Sequence, residues 1–202
     1  MTERRRATED RQVELTDAAL RIIATQGIAA LTTRRLAAEV GLTTGAIFRH
    51  FASLDALLDA VVARVEAVLA ATFPQATLPP LAQLEQFIIA RSAVVGSQLG
   101  ILRLVQSEQF LLALPERGSQ RLAACVHRTR AFIAATVRAG QGDGSIRTDV
   151  AAEVLTPIIM GTIQMLALRR GPLADASQIR AGLLTLVRPL PAAPSASRKR
   201  SS

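Results

Sequence analysis

The stretch from Thr32 to Phe51 reads TTRRLAAEVGLTTGAIFRHF and holds the chain's densest set of groups suited to gripping a polyanion. Thr33 and Thr43 stand at the starts of two short helical segments, where hydroxyls and free backbone N–H groups hold phosphate. Thr44, Gly45 and Ala46 form a small outward edge that lets backbone approach a base closely, with Ala46 placed to meet a thymine methyl. Arg34 or Arg49 has the fork geometry that reads a guanine. Ile47 and Phe51 face the other way, toward Leu36 and Val40. The tripeptide Gly41-Leu42-Thr43 joins the segments in the layout of a helix-turn-helix, whose second helix enters the major groove while the first crosses the backbone. The same pattern also describes a hairpin that only packs a core, and pattern alone leaves both readings open. The short third helix of small residues, the Arg34-Arg35 pair and the closing Arg49-His50 weigh toward DNA.

Other reactive side chains do not assemble into a catalytic set. Cys125-Val126-His127 puts a thiol and an imidazole two residues apart on a helix, hence on different faces. His50, the other histidine, lies in the polyanion-binding stretch. A nucleophilic thiol needs a base beside it, and none is at hand. Asp55/Asp59 and Glu116-Arg117 read as solvated helix surface. Asp143-Gly144 lacks the ligand count of a calcium loop, and Gly140, Gly142 and Gly144 are not followed by the Lys-Ser/Thr of a phosphate loop. No catalytic residue, metal or cofactor is expected, and the chain is read as not an enzyme. The single cysteine fits a reducing cytoplasm, the N-terminal MTERRRATEDRQ leads into no apolar run, and the most apolar segment, 154–168, is too short to span a bilayer. A cytoplasmic protein without membrane attachment is expected.

The elements that must position these residues are helical. Half of the 202 residues are apolar, aromatic side chains amount to 3%, and tyrosine and tryptophan are absent. Ala and Leu lose little entropy in a helix, so an all-α fold with an aliphatic core is expected. Apolar spacing predicts helices over about 9–26, 33–40, 43–50 and from Ser53 to about Phe73. Five more are predicted: from the proline-bearing linker 75–80 to about Ser97, then over 101–114, 118–139, 149–170 and 174–187. Gly27 ends the first, while Thr32 or Thr33, Thr43 and Ser53 serve as N-caps. The glycines of GQGDGS (140–145) break the seventh. Formal net charge is +8, of which Arg198, Lys199 and Arg200 carry +3. Basicity of this kind favours a polyanionic partner, although 23 of the 24 basic residues are arginine, which points equally to an Arg-rich composition.

Residues from about Arg11 to Val61 resemble the N-terminal domain of the TetR family of one-component transcriptional regulators. The carriers are TDAALRIIATQG, LTTRRLAAEVGLTTGAIFRHF and SLDALLDAVV. The resemblance implies Thr33 against phosphate and Arg34 on a base. It puts Thr44, Gly45 and Ala46 at base edges with Arg49 beside them, and His50 on phosphate. Two positions depart from the family pattern. Phe48 replaces a tyrosine whose hydroxyl bonds phosphate, and Leu54 replaces a frequent phosphate-binding lysine. Arg4–Arg6 and Arg198–Arg200, as disordered arms on the DNA backbone, are expected to compensate.

The resemblance further implies a body that dimerises through its last two helices and encloses an inducer site. Leu155, Ile158, Ile159, Gly161, Ile163 and Ala167, with Ile179, Leu183, Leu184 and Leu186, are the candidates for the dimer face. Phe87, Leu104, Phe110, Val126, Met160 and Met165, with Gln106, Gln109, His127 and Gln164, are the candidates for the ligand pocket, most of them equally suited to core packing. The domain reading is a helix-turn-helix domain over 1–52, an effector-binding and dimerisation domain over 53–188, and a disordered basic tail over 189–202. The functional reading is a homodimeric repressor of a double-stranded DNA operator, released by a small apolar ligand. The alternatives are a body that binds a protein partner and a helical interaction module without a DNA role.

Overall fold

The computed structural model describes residues 2–97, 108–168 and 176–190, and these hold nine α-helices and no strand. Helix α1 (Thr2–Gln26) starts a full two turns before the expected position. Its first residues lack apolar periodicity but are strong helix formers, Glu, Arg and Ala. Arg4–Arg6 therefore lie on helical backbone rather than in a disordered arm. Gly27, at φ +84°, ends α1, and the expected linker after it is a 3-10 turn over Ile28–Ala30.

Three hydroxyls set the next three helices. Thr32 caps α2 (Thr33–Glu39), accepting from the Arg35 N–H at 3.1 Å. Thr43 caps α3 (Thr44–Phe48), accepting from the Ala46 N–H at 3.2 Å. Ser53 caps α4 (Leu54–Ala70), accepting from the Ala56 N–H at 3.1 Å. Gly41, at φ +67°, turns the chain between α2 and α3. Helix α3 is shorter than expected, so Arg49 and His50 occupy the turn that follows it.

The body comprises α5 (Pro80–Ser97), α6 (Glu108–Ala113), α7 (Glu116–Gly142), α8 (Ala152–Leu168) and α9 (Ala176–Val187). Positions 101–107 of the expected sixth helix, 169–175 with the Gly171-Pro172 stop, and 191–202 of the tail lie outside the described residues. Helix α7 runs through Gly140 and Gly142, and the break comes only at Asp143 and Gly144 (φ +78°).

Two apolar cores organise these helices. The first joins Leu15, Ala19, Ile22, Leu36, Ile47 and Phe51 to Leu57, Val61 and Val65 of α4 and to Phe110 and Leu122 of the body, so it extends across position 52/53. The second gathers Leu84, Phe87, Ile88, Ile133, Val137, Leu155, Ile159, Ile163, Leu183 and Leu184. Leu155, Ile159, Ile163, Leu183 and Leu184 are thus buried inside their own chain. They are not free to form the dimer face for which they were candidates.

Gly140 marks a close approach within the second unit. A Cβ built there would lie 2.6 Å from Ile146 Cδ1 and 2.7 Å from its Cγ1, and Ile146 is itself 1% exposed. Overpacking of this kind costs about 1–3 kcal/mol, against about 1 kcal/mol gained in helix propensity. Gly140→Ala is expected to lower the urea unfolding midpoint. A raised midpoint would show that Ile146 rotates away freely.

Candidate functional site

The basic surface is built on α2, α3 and the turn behind them. Leu36, Ala37, Ile47 and Phe51 are buried in the first core and hold both short helices against α1. The Gln12 side chain donates to the His50 carbonyl at 3.0 Å, fastening the turn after α3 to α1. Arg34, Arg35, Thr43, Thr44, Gly45, Phe48 and Arg49 are exposed, and Thr33 and His50 are half-buried. No ion pair or hydrogen bond engages the guanidinium of Arg34, Arg35 or Arg49 among the described residues, whereas Arg11, Arg21 and Arg64 are each matched to a carboxylate. The surface therefore presents uncompensated positive charge beside small residues. Thr43, though engaged as a cap acceptor, keeps its O–H free to donate. His50 Nδ1 is enclosed without a hydrogen-bond partner.

One expected member of the outward edge is misplaced. Ala46 is 4% exposed, because it faces inward beside Ile47. Successive helical residues step by about 100°, so three in a row fan over about 200° and the third here turns into the core. The open edge is Thr44, Gly45 and Phe48, the last 50% exposed. Leu54, at 38% exposed, stands at the start of α4 on the surface.

The expected pocket residues do not converge. Phe87 belongs to the second core and Phe110 to the first. Met160 and Gln164 are half-buried on α8, while Val126, His127, Met165 and Gln109 are exposed. Val126 lines an open groove of about 480 Å³ with Leu111, Leu122 and Ala123. Leu104 and Gln106 lie outside the described residues. Cys125 is buried, with Arg128 donating to its Sγ at 3.0 Å, and burial pushes its thiol pKa up. It packs in the first core.

The body holds one group that sequence reasoning passed over. Arg91 on α5 is 4% exposed. Its guanidinium lies 5.2 Å from the ring centre of Phe73 and 4.9 Å from that of Phe87. These rings pack on each other and on Phe132 at 4.9–5.4 Å. Its Nε and Nη2 have no hydrogen-bond partner among the described residues. The i, i+4 spacing of Phe87 and Arg91 was the available signal, since such neighbours meet on a helix.

Residues 15–61 match the family model for bacterial regulatory proteins of the tetR family. The chain is 28% identical over 155 residues to the HTH-type transcriptional repressor KstR2 of Rhodococcus jostii (strain RHA1), covering 71% of this chain and 72% of that one. Its fold is similar to the ketosteroid transcriptional regulator KstR2 of Mycobacterium tuberculosis, with a TM-score of 0.74 at 23% identity over 88% of this chain and 95% of that one. AibR, solved in complex with isovaleryl coenzyme A and operator DNA, is similar in fold with a TM-score of 0.73 at 16% identity, over 88% of this chain and 98% of that one. Residues 15–61 thus match the tetR-family model, and the chain shares the fold of these structures.

The orientation of α3 has a direct check. Thr44→Glu, on the open edge, is expected to change stability by no more than about 0.5 kcal/mol. Ala46→Glu buries an unpaired carboxylate and is expected to cost at least about 2 kcal/mol. Equal unfolding midpoints for the two variants would contradict the burial of Ala46.

Proposed function

We propose that this TetR-family chain is a dimeric, sequence-specific repressor of operator DNA that is released by a small ligand. The observation that carries the DNA reading is the set of exposed, unmatched guanidiniums of Arg34, Arg35 and Arg49 around the open edge of α3. Arg34 and Arg49 meet base edges, beside Thr44 and Gly45. Thr33, Thr43 and His50 hold the DNA backbone. Phe48 adds apolar contact only, and Ala46 supports α3 from behind.

A stripe on α8 supports the dimer. Val154, Ile158 and Met165 are 51%, 49% and 43% exposed. With Gly161 they follow one another at three or four residues, on one face of the helix. A Cβ added at Gly161 would meet nothing within 4 Å, which leaves room for a partner helix. On α9, Leu186 is 62% exposed. Two-fold symmetry of the dimer then sets two reading helices for half-sites one turn apart, roughly 34–36 Å.

Release follows if a ligand binds the mismatched spacing better. Moving the population from 99:1 to 1:99 takes about 5.5 kcal/mol of differential affinity. The likeness to AibR, whose structure holds both an acyl coenzyme A and operator DNA, supports such an effector.

The two departures from the family pattern give the test. Duplex DNA from the region flanking the protein's own gene is titrated by fluorescence anisotropy at several salt concentrations. Arg34→Ala is expected to lose at least about tenfold in affinity for the selected site, the equivalent of about 1.4 kcal/mol. Leu54→Lys is expected to tighten binding and steepen the salt slope by about 0.9. Phe48→Tyr is expected to tighten it with little change in slope. Unchanged affinity and slope in all three variants would defeat this placement of the surface.

A further inference from the structure

Among the described residues, Arg91 is buried with its Nε and Nη2 unpaired. Taking a guanidinium out of water is costly unless hydrogen bonds replace the lost hydration. Here the Phe73 and Phe87 rings supply cation–π attraction, which offsets only part of that cost. Burial lowers the Arg91 pKa to about 10, so the group stays charged at neutral pH. Cys125 is nearby, but its thiol is held protonated by its own burial and supplies no counter-charge.

The two unpaired atoms are informative as a pair. Nε and Nη2 form one edge of the guanidinium, and that edge takes two oxygens of a carboxylate or phosphate at once. The same chain uses the edge this way elsewhere. Arg64 engages Asp17 through Nε and Nη2 at 3.0 and 3.4 Å. Arg147 engages both oxygens of Asp149, at 2.7 and 2.6 Å. Arg138 and Arg121 instead bring the same two atoms to a single carboxylate oxygen, of Glu153 and Glu66 respectively. In Arg91 this edge has no partner, and it is enclosed beside an aromatic cluster.

We propose that Arg91 is an effector-binding residue whose Nε/Nη2 edge receives the carboxylate or phosphate oxygens of an otherwise apolar ligand. The effector class is then an amphipathic anion and not a purely apolar molecule. The inference deepens the ligand-release reading above and rests on it. The phenylalanine cluster supplies the apolar wall beside the anion. A ligand of this kind repays burial of the guanidinium, so the unliganded body carries an unspent electrostatic cost at α5.

The test uses the purified full chain with decanoate, decanol and decanoyl coenzyme A as probes, measured by isothermal calorimetry. The wild type is expected to bind one or both anions at least about tenfold more tightly than decanol, a free-energy difference of about 1.4 kcal/mol. Preference for decanoate assigns a free carboxylate, and preference for the thioester assigns the coenzyme phosphates. Arg91→Met is expected to lose that preference while keeping its affinity for decanol. Without ligand it is expected to melt no lower than the wild type, because an apolar side chain replaces an unpaired buried charge. The proposal is overturned if the wild type shows no preference for either anion, a comparison that needs no variant. It is also overturned if Arg91→Met keeps the preference, or if it melts several degrees lower, which would make Arg91 a structural partner. DNA binding is measured separately in the absence of probe. A chain that binds DNA without preferring anions defeats the Arg91 assignment alone, and one that prefers anions without binding DNA defeats the regulator reading alone.

Discussion

Helix α4 is the member on which the rest of the structure depends. Its Leu57, Leu58, Val61, Val62, Val65 and Leu69 are all at most 8% exposed, and they share one core with α1 to α3 on one side and with Phe110, Leu114 and Leu122 of the body on the other. Burying such side chains contributes about 1.5–3 kcal/mol each. The ion pairs along α4, Arg64 with Asp17 and Arg121 with Glu66, are partly exposed and contribute less than about 1 kcal/mol each. Apolar packing therefore decides where α4 lies.

The arginines divide by what surrounds them, and the division separates two tasks. Arg64, Arg121, Arg138 and Arg147 are matched to carboxylates and serve structure. Arg34, Arg35 and Arg49 are unmatched but exposed, so water solvates them at little cost and their charge remains available to a polyanion. Arg91 is unmatched and buried, which costs stability in the free protein. Conformational cost stored at one position and released by a ligand is the physical content of a switch. The exposed guanidiniums flank α3 over the first core, whereas Arg91 stands on α5 against Phe73 and Phe87 of the second.

The end of α1 and the starts of α2, α3 and α4 were legible because they rest on local chemistry, whereas the start of α1 and the end of α3 were not. Thr32, Thr43 and Ser53 cap as their types predict, and Gly27 and Gly41 take the positive φ that turns require. Ala46 was misread because alanine is at home inside or outside, and a helix of one and a half turns has too few apolar positions to fix its phase. The run through Gly140 and Gly142 was misread because glycine was weighed as a breaker, whereas Gly140 here makes room for Ile146. On α8, Leu155, Ile158 and Ile159 look alike in sequence, and only the packing of the second core shows that Ile158 is the one left outside. Phe87 and Phe110 were grouped as candidates for one pocket for a related reason. Phe87 and Phe110 are both large and apolar, yet they fill separate cores, and nothing local in sequence distinguishes those destinations. Arg91 was passed over because an arginine in QFIIARSAVV reads as the one solvated position of an apolar helix.

In the function proposed above, two copies of this chain read DNA as a symmetric pair through α3 and the residues flanking it. Selection from a random-sequence duplex library with the purified full chain tests it most directly. The account predicts enrichment of an inverted repeat whose half-sites are centred about one helical turn apart, lost when Arg34 and Arg49 are both replaced by alanine. Enrichment of no sequence, or of a single site without two-fold symmetry, would contradict it.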